Sequence, residues 1–209
     1  QYRKSILNDK KEIEITDFGA GSRIFNDNRR RICDLGKHAG ARANRMKLMY
    51  RIIQFLKPKN ILELGTSTGL ATASMAIATM GKVTSVEGCP AVAQIAREKL
   101  NFLKIDHLQL KIQRFEQFFE NENQEMYDFV YIDGNHSKQA TLNYFENLLP
   151  ILTSNSILIF DDIYWSPGMT QAWEIIKEHD NVKFTIDCFW LGLVFLGNKE
   201  ITGDFKVRL

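Results

Sequence analysis

The sequence predicts an α/β fold, a mostly parallel sheet with helices on both faces, and three observations predict it. Short runs rich in apolar and β-branched residues, at 61–64, 82–87, 107–112, 127–132 and 156–162, alternate with longer stretches whose apolar residues recur at helical spacing. Several runs carry consecutive apolar residues, as parallel strands buried on both faces do. Acids stand at or beside their carboxyl ends, namely Glu63, Glu87, Asp133, Asp161 and Asp162, and that rim is where open α/β sheets bind ligands.

With 209 residues, 44% hydrophobic and 25% charged, the chain has the composition and length of one globular domain. Residues 1–58 read as an N-terminal arm and helical cap of that domain, and residues 59–209 as its core. A formal net charge of +2 gives no drive toward nucleic acid, and no apolar run nears the roughly 20 residues that span a bilayer. A soluble protein without a nucleic-acid or membrane partner is therefore expected. Cys33, Cys89 and Cys188 lack disulfide or metal-ligand spacing, which fits a reducing, cytoplasmic setting. The visible N-terminus lacks the apolar core of a signal peptide.

Residues 1–28 are polar and interrupted by glycine, asparagine and aspartate, so an arm and a loop are expected. Within them the stretch 17–23 sets Phe18 and Arg23 among small residues; a surface turn is the simpler reading, a fold over a pocket the other. Arg29, Arg30 and Arg31 read as a solvated helix start rather than a phosphate-binding patch. Met46, Met49, Tyr50, Ile53 and Leu56 recur at helical spacing until Lys57 and Pro58 end the run. Gly36 and Gly40 break this region into two helices, and His38, in the break, reads as solvated or packed.

Residues 61–76, ILELGTSTGLATASMA, read as a strand, a tight turn and a helix start. Gly65 and Gly69 permit a sharp turn with a ligand close to the backbone, while Thr66, Ser67 and Thr68 offer a helix N-cap. A second strand-helix unit follows in KVTSVE, Gly88, Cys89 and Pro90, the proline suiting a first helical turn. Val92, Ile95, Ala96, Leu100 and Leu103 make its apolar stripe. Glu87 stands 18 residues beyond Gly69, near the ~20-residue spacing at which a second-strand acid takes ribose hydroxyls in nucleotide-binding α/β folds. Ser67 replaces the middle glycine of a dinucleotide fingerprint, and Leu70 stands where a phosphate loop needs lysine. Neither phosphate turn is present.

The third strand, 107–112, leads to Gln113, Arg114 and Phe115; His107 reads as a strand-edge residue, and Phe118 and Phe119 as the apolar face of the next helix. The fourth strand, YDFVYI, ends at Asp133, and the helix after it carries Ala140, Tyr144 and Leu148 on one face. The fifth, SILIFDD, ends in Asp161 and Asp162. Met169, Ala172, Trp173 and Ile176 mark a further helix, and strands at 182–187 and 189–196 follow closely enough for an antiparallel hairpin. Cys188 and Trp190 fit core or strand-end roles better than the pocket.

The pattern Glu63-x-Gly65-x-x-x-Gly69 with Glu87 resembles the first two motifs of class I S-adenosylmethionine-dependent methyltransferases, and the resemblance runs from about residue 61 to 195. It implies a Rossmann-like class I methyltransferase fold, a seven-stranded, mostly parallel sheet with one reversed strand. It also implies cofactor contacts from Glu63, Gly65, Thr66, Ser67, Thr68, Gly69, Glu87, Gly88, Arg114, Phe115 and Asp133, with Glu87 on the ribose and Phe115 against the adenine. Many related enzymes have an acid where this chain has Arg114, so backbone groups would have to meet the adenine amino group.

Three carboxylates on one rim repel one another unless one is protonated or a cation intervenes, and an all-oxygen set suits magnesium, manganese or calcium. Helix capping and pairing with a lysine or arginine are the alternatives. The region also resembles the metal-dependent O-methyltransferases of catechol, caffeoyl-coenzyme A and natural-product sugars. Their metal ligands correspond to Asp133, Asp161 and Asp162, with Asp-Asp here in place of the Asp-Asn of the catechol type. His136 falls where those enzymes place a basic residue and is the candidate base, its reference pKa of about 6.5 suiting proton removal near neutrality; Lys138 is the reserve. Trp165 corresponds to an aromatic wall of the acceptor pocket, with core packing the alternative. The expected function is methyl transfer from S-adenosylmethionine to a hydroxyl of a small molecule, assisted by a divalent cation, in a chain that can form a homo-oligomer. A metal-independent methyltransferase acting on nitrogen, carbon or a carboxylate, and a noncatalytic cofactor-binding protein, are the alternatives.

Overall fold

The computed structural model describes residues 1–16, 28–38, 42–120, 125–197 and 203–208. The stretch 17–23 and Gly40 lie outside the described residues. The chain divides into two units, Gln1–Phe118 and Phe119–Leu209.

The first unit begins with a helix, α1 (Tyr2–Leu7), and a short strand, β1 (Glu12–Glu14), where only an arm and a loop were expected. These segments are too short for a periodic signal, and they are held by contacts distant in sequence. Ile6 is fully buried, and Ile13 and Ile15 pack on Leu35, Cys89 and Val92. The three arginines form β2 (Arg29–Arg31) rather than a helix start, pairing antiparallel with β1 so that Glu12 faces Arg31 and Glu14 faces Arg29. Opposite charges across a two-stranded ladder favour that pairing. Arg30 turns inward, 4% exposed.

The two helices expected next are α2 (Ile32–His38) and α3 (Ala43–Leu56). The buried stripe of α3 is narrower than its periodicity suggests: Met49 and Ile53 are buried, whereas Tyr50 is 41% exposed. Lys57, left-handed at φ 50°, ends the helix before Pro58. His38 is exposed at the end of α2. Then come β3 (Asn60–Leu64), α4 (Leu70–Ala78), β4 (Lys82–Glu87), α5 (Pro90–Asn101) and β5 (Leu108–Ile112), with α6 (Phe115–Phe119) at the unit's end. Strand β4 pairs in parallel with both β3 and β5, which gathers Leu64, Glu87 and Ile112 at one rim. His107, just before β5, shares a hydrogen bond with the Ala76 carbonyl at 3.0 Å.

The second unit contains β6 (Tyr127–Ile132), α7 (Lys138–Leu148), a 3-10 turn (Leu149–Ile151), β7 (Leu152–Asp161), α8 (Pro167–Lys177), β8 (Val182–Asp187), β9 (Leu191–Leu196) and β10 (Gly203–Lys206). Their order across the sheet is β10, β8, β9, β7, β6. Strand β9 runs antiparallel to β7 and β8, the expected hairpin and the one reversed strand, while β6 with β7 and β10 with β8 are parallel. Strand β9 starts at Leu191 because Phe189, at φ 67°, turns the chain first. Among the described residues the strands β3 to β10 number eight where seven were expected, the addition being β10. The stripe of α8 (Met169, Ala172, Trp173, Ile176) is buried as its spacing requires. Among the described residues no helix is long and apolar enough to cross a membrane.

Candidate active site

The glycine turn of the first unit leaves β3 at Gly65, φ 106°, and enters α4 through Gly69, φ 74°. Between them Ser67 is also left-handed at φ 50°, and the Gly69 amide donates to the Thr66 carbonyl at 2.8 Å, closing a tight turn. The expected hydroxyl cap of α4 is absent: Gly69 is the N-cap and no side chain caps the helix. The Thr66 hydroxyl is engaged elsewhere, 2.5 Å from Ser85 Oγ, and the Ser85 and Thr72 hydroxyls both donate to Glu63 Oε2 at 2.5 Å. Glu63 is thus fully buried beneath the turn, binding strand to helix.

Glu87 faces the turn. Its Oε2 accepts the Ser67 amide and its Oε1 the Cys89 amide, both at 2.9 Å, so one carboxylate joins the glycine turn to the segment around Gly88. The hydroxyl of Thr68 is buried without a hydrogen-bond partner, and a buried polar atom left so is unusual in a finished core. A tight turn with an acid at its edge and this unmet hydroxyl fits a ligand carrying hydroxyl and amino-acid groups. Beyond β5, the Arg114 guanidinium pairs with Glu116 at 3.2 Å on the surface, and the half-buried Phe115 opens α6.

In the second unit the carboxyl ends of β6 and β7 carry Asp133, Asp161 and Asp162. Asp161 is 3% exposed. Its Oδ2 lies 2.8 Å from the Tyr131 hydroxyl, which is also 3.3 Å from Asp133 Oδ2. Tyr131 therefore gathers two carboxylates around one oxygen. Asp162 sits at φ 53°, its amide donating to the Trp190 carbonyl, which turns the chain toward Trp165. Among the described residues no three side chains of His, Cys, Asp or Glu stand close enough to hold a metal ion as placed. The all-oxygen donors around Tyr131 nevertheless fit a hard cation in kind.

His136 follows β6 in a loop where Asn135 is left-handed at φ 46° and donates to the Tyr144 hydroxyl at 3.2 Å. Its Nε2 is 3.5 Å from Asp133 Oδ1, and its ring centroid is 6.0 Å from that of Trp165. Burial alone would depress its pKa, but the hydrogen bond and charge of Asp133, with the charges of Asp162 and Asp161, carry it above the ordinary value. A histidine beside a carboxylate is oriented and made more basic, which is what proton abstraction from a hydroxyl requires. Lys138, the reserve, extends to Gln171 Oε1 at 3.0 Å.

Residues that sequence reasoning passed over also shape this rim. Tyr131 lies two residues before Asp133, hence on the same strand face, a signal that was available. Tyr164 donates its hydroxyl to Asp187, which also accepts the Phe189 amide at 2.7 Å and fixes the loop between β8 and β9. No local pattern links Tyr164 to Asp187, 23 residues away. Cys188 is buried beside that aspartate.

Comparison with known proteins agrees with the geometry. Residues 62–163 match the family described as a methyltransferase domain. The chain is 25% identical over 139 residues to Tapetum-specific methyltransferase 1 of Arabidopsis thaliana, covering 61% of this chain and 57% of the relative. It is 28% identical over 120 residues to Probable caffeoyl-CoA O-methyltransferase 2 of Dictyostelium discoideum, covering 54% and 51%. The chain thus spans about half the length of these curated relatives. Among solved structures it resembles the O-methyltransferase TomG of Streptomyces achromogenes, involved in tomaymycin synthesis and solved with SAM, at TM-score 0.68 and 18% identity over 79% of this chain and 83% of that one. The O-methyltransferase of Bacillus cereus in complex with SAH matches at TM-score 0.64 and 22% identity over 74% and 82%. Turn, rim and sequence similarity point the same way: residues 62–163 are similar to a methyltransferase domain, and the solved structures share the fold.

Proposed function

We propose that this chain transfers a methyl group from S-adenosylmethionine to a hydroxyl of a small molecule. Two observations carry the reading, a glycine turn faced by Glu87 in the first unit and, in the second, a His136–Asp133 couple at 3.5 Å on an acidic rim. Bound at the turn, the cofactor supplies an electrophilic methyl group. Glu87 would hold the ribose hydroxyls, Gly65 to Gly69 would admit the amino-acid portion close to the backbone, and Gly88, Arg114, Phe115 and Asp133 would add further contacts, whereas Glu63, fully buried and bonded to Thr72 and Ser85, would act through the turn above it. His136 takes the hydroxyl proton, steadied by Asp133, and Trp165 walls the acceptor.

A divalent cation, magnesium, manganese or calcium, is part of this reading, with Asp133, Asp161 and Asp162 as its ligands and Lewis acidity as its contribution. Binding it would require Asp133 and Asp161 to exchange their hydrogen bonds with Tyr131. The Tyr131 bridge also supports a second reading, a metal-independent methyltransferase in which tyrosine and His136 offset the acids. We assign residues 1–58 to the same domain as the core from 59, which the Tyr2 bond to Thr68 supports. A cytoplasmic setting agrees with three buried, unbridged cysteines. The partners proposed are a small hydroxylated acceptor and a second copy of the chain.

Calorimetry with S-adenosylhomocysteine tests the cofactor assignment: the intact protein binds, and Glu87→Ala weakens binding roughly tenfold or more, the scale of hydrogen bonds to a charged group. No binding by intact protein overturns it. Turnover on phenols and vicinal diols with and without a chelator separates the two readings. Loss with chelator supports the cation, and equal rates support metal-independent transfer.

A further inference from the structure

We propose that Tyr2, on the N-terminal helix, is a positioning residue of the cofactor turn, a role that rests on the reading just given. Its hydroxyl donates to the Thr68 carbonyl at 2.8 Å, across 66 residues of sequence. A Cβ placed on Gly69 would lie 2.5 Å from that hydroxyl, so tyrosine and turn are in direct contact. The ring packs with Ala73, Ala96 and Leu100, which belong to α4 and α5. At the far end of α1, Lys99 of α5 donates to Asp9 at 2.7 Å. Tyr2 and Asp9, on either side of α1, are thus fastened to the turn and to α5.

The peptide joining Thr68 to Gly69 is planar, so its carbonyl and amide point opposite ways. Tyr2 holds the carbonyl on one side, and the Gly69 amide reaches the Thr66 carbonyl on the other. Ser67, one residue earlier, is left-handed at φ 50° and is held by Glu87 through its amide. Such a conformation persists only where its surroundings impose it. The turn has two braces, Glu87 at the Ser67 amide and Tyr2 at the Thr68 carbonyl. Ribose hydroxyls would compete for the first and would leave the second untouched. Burial and the nearby charge of Glu63 hold the phenol well above its ordinary pKa, keeping it a donor.

Tyr2→Phe keeps the ring and removes only the donor. It is expected to raise the dissociation constant for S-adenosylhomocysteine about fivefold, the scale of one hydrogen bond, and to speed amide exchange at Gly69. Ile53→Val, which loosens the buried core at α3, serves as the control for stability: it lowers the melting temperature and leaves that constant unchanged. Equal affinity in Tyr2→Phe and the parent chain overturns the inference. Weaker binding in both variants in step with melting temperature overturns it as well, since stability then explains the loss. No binding by the parent chain refutes instead the cofactor reading beneath it.

Discussion

His136 is decided by its neighbours rather than by its type. Alone in a loop it would be unremarkable, yet beside Asp133 its pKa rises despite burial, because attraction to three carboxylates outweighs the desolvation of the charged ring. In metal-free protein, its ring resonances should titrate above the reference of about 6.5. A folded pKa raised in this way contributes stability that is fully present below the unfolded value and is lost as pH rises through the folded one. As a base, the same ring becomes competent only as pH rises through that raised value. His136→Ala should lower methyl transfer by about 100-fold or more, the range of general-base catalysis, with little change in S-adenosylhomocysteine affinity. An unchanged rate would reject its role. The sequence offered this residue because it stands three positions after Asp133; Tyr131, which gathers the acids, needed the strand face to be seen.

At the scale of elements, the strand-turn-helix at 60–78 shows how local rules and packing divide the work. Apolar runs and glycines were enough to predict β3, the turn and α4, with α4 from Leu70 to Ala78. Which groups would stabilise the helix start was not legible, since the Thr66 hydroxyl bonds Ser85, the Thr68 hydroxyl has no hydrogen-bond partner and glycine takes the N-cap. Gly69 is doubly constrained, by φ 74° and by a Cβ position 2.5 Å from the Tyr2 hydroxyl and 3.1 Å from Leu100 Cδ1. Gly69→Ala should cost about 1–3 kcal/mol in thermal unfolding and weaken cofactor binding. A variant as stable as the parent would contradict the strain. The pairing of β1 with β2 was missed for a related reason. Three-residue strands carry no period, and their charge complementarity appears only once Glu12 and Arg31 face each other.

Across the chain, the N-terminal segment is tied into the first unit by single long-range contacts. The Asp9 carboxylate accepts from Lys99 at 2.7 Å, with both side chains largely shielded, and that bond holds its pKa below the ordinary value. A depressed folded pKa contributes stability above the unfolded value of about 3.9 that is lost as pH falls through the folded one. Asp9→Asn should therefore reduce stability at neutral pH by about 1 kcal/mol, and the difference should vanish in strong acid; a constant difference from pH 7 to pH 2 would count against the ion pair. The proposed cofactor residues fall mainly in Gln1–Phe118 and the proposed acceptor residues in Phe119–Leu209.

The sequence by itself determined the alternation of strands and helices, the glycine turn, and the acids at the strand ends, because these follow from side-chain periodicity and from the turn geometry that glycine permits. Tertiary structure alone decided that Glu63 is buried under hydroxyls, that Asp161 meets the Tyr131 hydroxyl, that Asp187 fixes Tyr164 and that Tyr2 braces the turn. Each of these is a hydrogen bond between elements. Its partners are chosen by where packing brings side chains, and no local pattern records that choice.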